Sequence, residues 1–229
     1  MKPLLSESED TDALLALGRA SVQIVHDLKN QLNGLKLYAT FLRKRFEKTE
    51  RAADELETIQ KLIAGLDRTS NDLSLIVEFG QPLQLKKQPQ TDLEKILREV
   101  AVSLNGRPQL SGPLTGSLII DAEPGHFPGE FDAALLAGAF KSISLGAIKS
   151  VNGKQPGGTM TIRLNSSATD TTRQGVIEWQ GADYDHDPFH SFAGSNEIRL
   201  SLAARVIEAH GGSVQLQDRS ISVRLPLTS

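Results

Sequence analysis

The sequence lacks several features that mark whole classes of protein. It contains no cysteine, which excludes disulfide bonds, thiolate metal sites and cysteine nucleophiles. It has no apolar run approaching the ~20 residues of a membrane helix, and the acidic stretch 1–11 is unlike a signal peptide, so we predict no membrane partner and a cytoplasmic location. Basic residues are not in excess either. The 25 Lys and Arg stand against 28 Asp and Glu, a net charge of -3 that disfavours nucleic acid as a partner.

Proline and glycine are unevenly distributed, and their distribution divides the chain. Residues 12–79 contain no proline and almost no glycine, whereas nine of the ten prolines lie at Pro82 or beyond it. We therefore predict two domains, residues 1–82 and residues 83–229. The first is expected to be helical, and the second to mix helices with strands.

Two apolar series in the first domain repeat at spacings of three and four residues, as the seam of a coiled coil does. The series are Val25, Leu28, Leu32, Leu35, Ala39, Leu42 and Phe46, then Leu56, Ile59, Ile63, Leu66, Ser70, Leu73 and Val77. The polar interval 47–51 has neither Gly nor Pro, so one continuous helix of about 100 Å is the alternative to a hairpin. We expect the hairpin. Additional apolar residues, among them Leu37, Tyr38, Leu62 and Ile76, favour pairing of two copies into a four-helix bundle.

The sequence of the second domain predicts a mixture of helices and strands. We predict helices at 91–104, 132–150 and 198–209, strands at 118–121, 159–164 and 175–180, and a strand hairpin of 213–217 with 220–225. Thr91-Asp92-Leu93-Glu94 is typical of a capping box at a helix start, and His210-Gly211-Gly212 of a helix end. The predicted fold class is α+β, with a long antiparallel helical hairpin followed by a two-layer α/β sandwich.

One segment of the first helix carries candidate chemistry. His26 lies beside the predicted seam, with Asp27 next to it and Asn30 one turn later. A neutral imidazole is a nucleophile near pH 7, and a carboxylate that accepts a hydrogen bond from one ring nitrogen makes the other more nucleophilic. An asparagine can orient a water or a phosphoryl oxygen without adding negative charge. Taken alone, this pattern favours an ordinary surface histidine, and a chemical role for His26 is the alternative.

His26-Asp27-Leu28-Lys29-Asn30 on the first helix of a hairpin resembles the phosphoacceptor box of two-component sensor histidine kinases. The C-terminal part agrees. Residues 198–212 are similar to the family's last helix with its His-Gly-Gly ending, and residues 221–226 to its closing strand, which ends in Leu-Pro. The resemblance covers nearly the whole chain from about residue 15 and includes no sensor module. It implies a dimerising phosphotransfer hairpin followed by an ATPase-like domain.

The nucleotide site departs from the family's pattern in three places. The family's asparagine-containing helix matches residues 142–149, where serine and glycine replace the two asparagines. The aspartate that reads adenine matches Trp179, and the glycine-rich phosphate loop matches residues 195–200, which contain no glycine and carry Glu197. Each lost contact weakens nucleotide binding by ~1 to 3 kcal/mol. We therefore expect no cofactor to be bound in the family's ATP site.

A chain that keeps the phosphoacceptor box and loses the nucleotide box resembles the histidine phosphotransferases built on a kinase scaffold. That resemblance implies that His26 takes a phosphoryl group from one receiver-domain aspartate and passes it to another, with magnesium supplied by the receiver. Asp27 would orient His26, and Asn30 would touch the phosphoryl group. Receiver docking would involve Gln23, Lys29 and Asn33. The implied partners are response-regulator receiver domains, an upstream hybrid histidine kinase and a second copy of the chain.

Two other functions stay open at this point. One is an ATP-dependent histidine kinase with a divergent nucleotide site. The other is a non-catalytic scaffold, or a phosphatase in which Asp27 and Asn30 position a water against a receiver's aspartyl phosphate.

Three further segments have a structural and a functional interpretation. A metal site is one interpretation of Asp183, Asp185, His186, Asp187 and His190. We favour a solvated loop, because the segment matches the family's mobile lid and Pro188 opposes a helix. His210 is expected to serve the turn that ends the last helix, and residues 153–158 to form a flexible connection.

Overall fold

A computed structural model describes residues 7–49, 53–105, 117–152, 159–168, 173–191, 194–217 and 219–228. The chain forms two compact units, Met1–Pro82 and Leu83–Ser229. The predicted connection 153–158 and Asp218, in the predicted turn 217–219, lie outside the described residues.

The first unit is a helical hairpin of α1 (Glu7–Lys48) and α2 (Ala53–Gly80). The end of α1 is closed by Thr49, whose N–H donates to the Phe46 carbonyl at 3.2 Å. At the start of α2, Asp54 accepts a 2.9 Å hydrogen bond from the N–H of Glu55. An ion pair between Lys36 and Asp67 joins the two helices. The prediction of a hairpin is confirmed, and the single continuous helix is excluded because the chain leaves helical geometry within the predicted interval.

The apolar seam of α1 differs from the prediction in three of its seven members. Leu28, Leu35 and Leu42 have exposed fractions of 43%, 53% and 46%, whereas Ala39 is buried. Positions 25, 32, 39 and 46 follow one stripe of the helix, and positions 28, 35 and 42 follow a neighbouring stripe that α2 does not cover. In α2 every predicted seam residue is at least half-buried. The hairpin by itself thus leaves an apolar stripe of α1 in contact with solvent.

The second unit is built on a mixed five-stranded sheet. Its strands are β2 (Leu118–Ala122), β4 (Met160–Ala168), β5 (Arg173–Gln180), β7 (Ser220–Pro226) and β6 (Ser213–Gln217), in that spatial order. β2 and β4 are parallel, and the other neighbours are antiparallel. A separate antiparallel pair joins β1 (Gln88–Asp92) to β3 (Pro128–Phe131). The helices are α3 (Leu93–Asn105), α4 (Ala133–Asn152) and α5 (Ser195–Ala209).

The core of this unit lies between the helices and one face of the sheet. Alternate residues of β5 and β7 are buried, as in the pairs Ile177 with Trp179 and Ile221 with Val223. They pack with the buried face of α4, which includes Leu136, Phe140 and Ile143 among fully buried residues. The α/β sandwich predicted from the sequence is therefore confirmed.

Helix α4 is also apolar over a length that would cross a membrane. Residues Ala133–Val151 form a 19-residue stretch of that composition, the single such helix among the described residues. This differs from the prediction that no apolar run approaches a span. Leu136, Phe140 and Ile143 explain its composition, because the core helix of a globular domain carries the same residue types.

Two details of the second unit differ from the sequence reading. Strands β1 and β3 were not predicted, and Thr91 belongs to β1, where its hydroxyl donates to the Gln88 carbonyl. The predicted capping box is therefore wrong. The residue that caps α3 is Asp92, whose carboxylate accepts the N–H of Glu94 at 2.9 Å.

His210 does more than end α5. Its Nδ1 lies 2.7 Å from the Val206 carbonyl, and its Nε2 accepts the N–H of Asp132 at 3.0 Å. Asp132 in turn accepts the N–H groups of Leu135 and Lys86 at 3.1 and 2.8 Å, and so caps α4. Gly211 follows with φ +78°, the left-handed conformation that glycine adopts easily at a helix end. The buried His210 thus ties the end of α5 to the start of α4.

Candidate functional site

His26 lies on α1 at the centre of an exposed polar cluster. The side chains of His26 and Asp27 are 58% and 60% exposed. The His26 Nδ1 atom is 3.5 Å from Asp27 Oδ1 and 3.4 Å from the amide nitrogen of Asn30. The amide of Gln23 donates a 3.1 Å hydrogen bond to the same Asp27 oxygen. Four predicted site residues therefore form one connected set on the surface of one helix.

The two neighbours of His26 Nδ1 favour opposite tautomers of the ring. Asp27 is an acceptor, so its contact favours a proton on Nδ1 and a free electron pair on Nε2. The Asn30 amide nitrogen is a donor, so its contact favours the electron pair on Nδ1. Only the first tautomer presents Nε2 as a nucleophile. The balance between Asp27 and Asn30 thus sets how much of the reactive tautomer is present.

The other two predicted docking residues flank this cluster. Asn33 is exposed and lies seven residues from His26, which places both on one face of α1. Lys29 is half-buried. The face of His26 and Asn33 continues into the apolar residues Leu37 and Phe41, which are 55% and 60% exposed.

In the second unit, the residue matched to the family's adenine-reading aspartate contacts the helix matched to the family's asparagine-containing helix. Trp179 at the end of β5 donates a 2.9 Å hydrogen bond from its indole N–H to the hydroxyl of Ser144 on α4. Both side chains are fully buried. The Phe140 ring packs against the indole with centroids 5.9 Å apart. The position of the family's adenine-reading aspartate is therefore part of the hydrophobic core.

A second substitution in the same region is matched by a tyrosine from the following loop. Gly146 is the glycine that replaces a family asparagine on α4. A methyl group built at Gly146 would lie 2.8 Å from the Tyr184 hydroxyl oxygen and 3.2 Å from a Leu200 methyl. Burial raises the pKa of Tyr184 to about 12 and the Glu197 carboxylate adds to this, while the nearby Ser150 hydroxyl acts in the opposite direction. The tyrosine is therefore neutral and packed where a longer side chain at 146 would stand.

Residues 181–191 are fastened to the rest of the unit. The Asp183 N–H donates to the Ser150 hydroxyl at 3.0 Å, and the Asp183 carboxylate accepts from Arg219 at 3.1 Å. At the other end, the Ser201 hydroxyl donates to the Ser191 carbonyl at 3.1 Å. Ala182, Pro188 and Phe189 are buried. Asp185, His186, Asp187 and His190 are nevertheless exposed, which agrees with the solvated loop that the sequence favoured.

The residues of the candidate metal cluster in this loop contact different partners and do not converge on one point. Asp183 pairs with Arg219, while Asp187 contacts Nδ1 of His190 at 2.8 Å and accepts the N–H of Phe189. Burial opposes ionisation of Asp187, but the Phe189 N–H and the two histidines outweigh it and lower the pKa of the carboxyl. Within the described part of the chain, no three His, Asp or Glu side chains converge as a metal would require.

The start of α5 lies beside the same region. Lys149 at the end of α4 donates a 2.8 Å hydrogen bond to the Asn196 side chain. Glu197 places a carboxylate in the first turn, near Tyr184. Tyr184 is the residue of this region that the sequence reading missed. The signal was the aromatic side chain, one of two tyrosines in the chain, directly after the segment matched to the adenine-binding loop.

The chain matches no protein-family model. Among curated proteins it is 23% identical over 223 residues to the sensor histidine kinase ZraS of Salmonella typhi, covering 94% of this chain and 46% of the relative. It is 21% identical over 246 residues to the nitrogen regulation protein NtrY of Azorhizobium caulinodans, covering 96% of this chain and 30% of the relative. The chain thus spans less than half the length of each.

Solved structures show the same fold. ShkA, crystallised full-length in complex with AMPPNP, superposes with a TM-score of 0.67 at 17% identity, over 92% of this chain and 46% of that one. The histidine kinase AdeS of Acinetobacter baumannii gives a TM-score of 0.53 at 15% identity, over 85% of this chain and 96% of that one. The chain is thus similar in sequence to two curated proteins of two-component signalling, and it shares its fold with solved histidine kinases.

Proposed function

We propose that the chain is a histidine phosphotransferase that passes phosphoryl groups between receiver-domain aspartates through His26. The observation that carries the proposal is a contrast between the two units. His26, Asp27 and Asn30 are exposed and within contact of one another. The positions matched to the family's nucleotide site are instead occupied by Trp179 in the core and by Tyr184 against Gly146.

The transfer step follows from the chemistry of an acyl phosphate. The Nε2 atom of His26 attacks the phosphorus of the receiver's aspartyl phosphate, so an N–P bond forms and the bond from phosphorus to the aspartate oxygen breaks. The electron pair leaves with the aspartate as a carboxylate. Asp27 holds the ring proton on Nδ1 and stabilises the positive charge that develops on the imidazole. The reverse reaction delivers the phosphoryl group to a second receiver.

Magnesium in this reaction belongs to the receiver, whose acidic residues would hold it. The described contacts of His26 include one carboxylate, that of Asp27, which is fewer than a divalent cation needs from a dedicated protein site. The chain's own contribution is then the nucleophile, its tautomer and a docking face. That face would comprise Gln23, Lys29 and Asn33 around His26, with Leu37 and Phe41 beyond them.

The proposal includes a homodimer. Ile24, Leu28, Leu35, Tyr38 and Leu42 are exposed on α1 at heptad-like spacings. A contiguous apolar stripe of this kind is rare on the surface of a monomer. A second hairpin would cover the stripe and complete a four-helix bundle.

An ATP-dependent histidine kinase is the second candidate. It is favoured by the curated relative ZraS, whose name is that of a sensor histidine kinase, and by ShkA, which was solved with a nucleotide analogue. A phosphatase is the third, because the Asn30 amide and the Asp27 carboxylate flank His26 and are suited to orient a water.

One experiment separates the three. The purified chain is incubated with radiolabelled ATP and magnesium, and separately with a radiolabelled phosphorylated receiver domain, with His26→Ala as the control in both. The proposal expects acid-labile label on the wild type from the receiver and none from ATP. Label from ATP alone would overturn it in favour of the kinase. Loss of phosphate from the receiver with no label on His26 would favour the phosphatase.

A further inference from the structure

Loop 181–191 covers the region between α4 and α5, and one of its side chains enters it. Tyr184 reaches the backbone of α4 at Gly146 and lies beside Leu200 of α5. On either side of it, the loop is held by the Asp183 contacts with Ser150 and Arg219, and by buried Phe189. The tyrosine side chain therefore packs against α4 and α5, and the residues on both sides of it in the loop make contacts of their own.

Gly146 is the residue that makes this packing possible. A Cβ atom at position 146 would come within 2.8 Å of the Tyr184 hydroxyl oxygen, closer than real Cβ contacts allow, and within 3.3 Å of both Leu200 methyl groups. Any side chain at this position, including the asparagine of the family's pattern, would occupy the volume that the tyrosine fills. The packing of Tyr184 in this position therefore depends on the absence of a side chain at Gly146.

The same helix offers a glycine without this constraint. A Cβ at Gly138 would meet nothing within 4 Å, and the residue is exposed. Both glycines lie inside α4, so replacing either by alanine improves helix propensity to a similar degree. A difference between the two substitutions therefore reports the contact with the loop and not the helix.

We propose that Tyr184 is a built-in plug, which fills the volume vacated at Gly146 and keeps loop 181–191 packed against α4 and α5. This inference deepens the proposed function, on which its meaning rests, because Tyr184 fills the position where the family's pattern has an asparagine of its nucleotide site. The loop is then a fixed part of the fold and not a lid that responds to a ligand.

The test compares hydrogen exchange of the loop amides in the full chain for the wild type, Gly146→Ala and Gly138→Ala. Gly146→Ala is expected to raise exchange in loop 181–191 at least about tenfold, equivalent to about 1.4 kcal/mol of opening free energy. Gly138→Ala should leave that exchange unchanged. Equal exchange in the wild type and Gly146→Ala would overturn the plug.

A double substitution distinguishes the plug from a general disturbance of α4. Tyr184→Ala should by itself raise loop exchange, and adding Gly146→Ala to it should have little further effect, because the clashing group is gone. If Gly146→Ala opens the loop equally in the presence and the absence of Tyr184, Leu200 carries the effect and the plug is wrong.

The response to nucleotide keeps this inference separate from the proposed function. Exchange of loop 181–191 in the wild type should be the same with and without millimolar ATP and magnesium. Protection of the loop on adding ATP would show a working lid and overturn the plug. Transfer of label from ATP to His26 would overturn the phosphotransferase proposal whatever the loop variants do.

Discussion

The indole N–H of Trp179 donates a 2.9 Å hydrogen bond to the hydroxyl of Ser144, and both side chains are fully buried. Trp179 occupies the position matched to the family's adenine-binding aspartate. Ser144 lies on the helix that matches the family's asparagine-containing helix. A buried donor and acceptor that satisfy each other contribute to the stability of the core, so these two residues have a structural explanation that needs no ligand.

Ser144→Ala should destabilise the second unit. The substitution leaves the buried indole N–H without its acceptor, which costs about 1 to 3 kcal/mol in the free energy of unfolding. Urea denaturation followed by circular dichroism measures the cost. The matched control is Ser142→Ala, a half-buried serine on the same helix, which we expect to change stability by about 0.5 kcal/mol or less. Equal costs for the two variants would contradict the structural role of the Trp179 contact.

Asp27→Asn should slow phosphoryl transfer from a receiver to His26. The amide keeps the shape of Asp27 but loses the charge that favours the proton on Nδ1, and we expect a fall of about ten- to a hundredfold in the transfer rate. Rapid-quench labelling of His26 measures it. Glu57→Gln makes the same change of charge on the exposed surface of α2, where Glu57 pairs with Lys61, and should leave the rate unaltered. A rate for Asp27→Asn equal to that of the wild type would remove Asp27 from the mechanism.

Asn30→Ala should reduce hydrolysis of the receiver's aspartyl phosphate more than it reduces phosphoryl transfer from the receiver to His26. The Asn30 amide lies 3.4 Å from Nδ1 and favours the unreactive tautomer of His26, so its removal should change the transfer rate by no more than about threefold. If Asn30 positions a water, its removal should reduce hydrolysis of the receiver's aspartyl phosphate at least about tenfold. Both rates come from one time course of labelled receiver and labelled chain. A larger fall in transfer than in hydrolysis would contradict the tautomer argument.

The stability of the second unit should fall as the pH drops below neutral, through His210. Burial lowers the pKa of His210 from 6.5, helped by Lys87 and opposed by the Val206 hydrogen bond and by Asp132. The unfolded chain therefore binds this proton at a higher pH than the folded chain does. The stabilising contribution is complete above about pH 6.5 and is lost as the pH falls from there through the folded-state pKa, with a slope of at most about 1.4 kcal/mol per pH unit.

The measurement compares urea midpoints at pH 7.5 and 5.5 for the wild type and His210→Gln. The pH dependence should be smaller in the variant, which has no group at 210 to titrate. Asp132 and Asp187 do not contribute in this range. Burial raises the pKa of each carboxyl, but hydrogen bonds and histidine charges outweigh burial and hold both values below 3.8. The same pH slope in the two proteins would exclude His210 as the cause.

Leu35→Gln should weaken the proposed dimer. Leu35 is 53% exposed at the middle of the apolar stripe of α1, and in a symmetric dimer its replacement counts twice. We expect the wild type to sediment at twice the 24.8 kDa of one chain and the variant to dissociate at a concentration at least about tenfold higher. Lys44→Gln, exposed on the same helix, is the control. A wild type that remains monomeric at micromolar concentration would contradict the four-helix bundle.

Local sequence signals predicted most of the fold. The strand hairpin 213–217 and 220–225 was placed to within one residue, and α5 was recognised from its ending at His210-Gly211-Gly212. Strands β1 and β3 were missed because they are short, carry Pro89 and Pro128, and pair with each other over a long sequence separation. The spacing of apolar residues also did not predict which of two adjacent stripes of α1 would face α2, because both stripes have the same seven-residue spacing.

The amino-acid sequence by itself determined the helical character of the first unit and the α/β class of the second. It also determined the grouping of His26, Asp27 and Asn30 on one helix edge, because residues three and four apart are neighbours on a helix surface. Only the tertiary structure decided that Trp179 meets Ser144, that Tyr184 fills the volume left by Gly146, and that His210 bonds to Asp132. These pairs are 35, 38 and 78 residues apart in the chain. Contacts at such separations depend on how the sheet and helices pack, which no local pattern specifies.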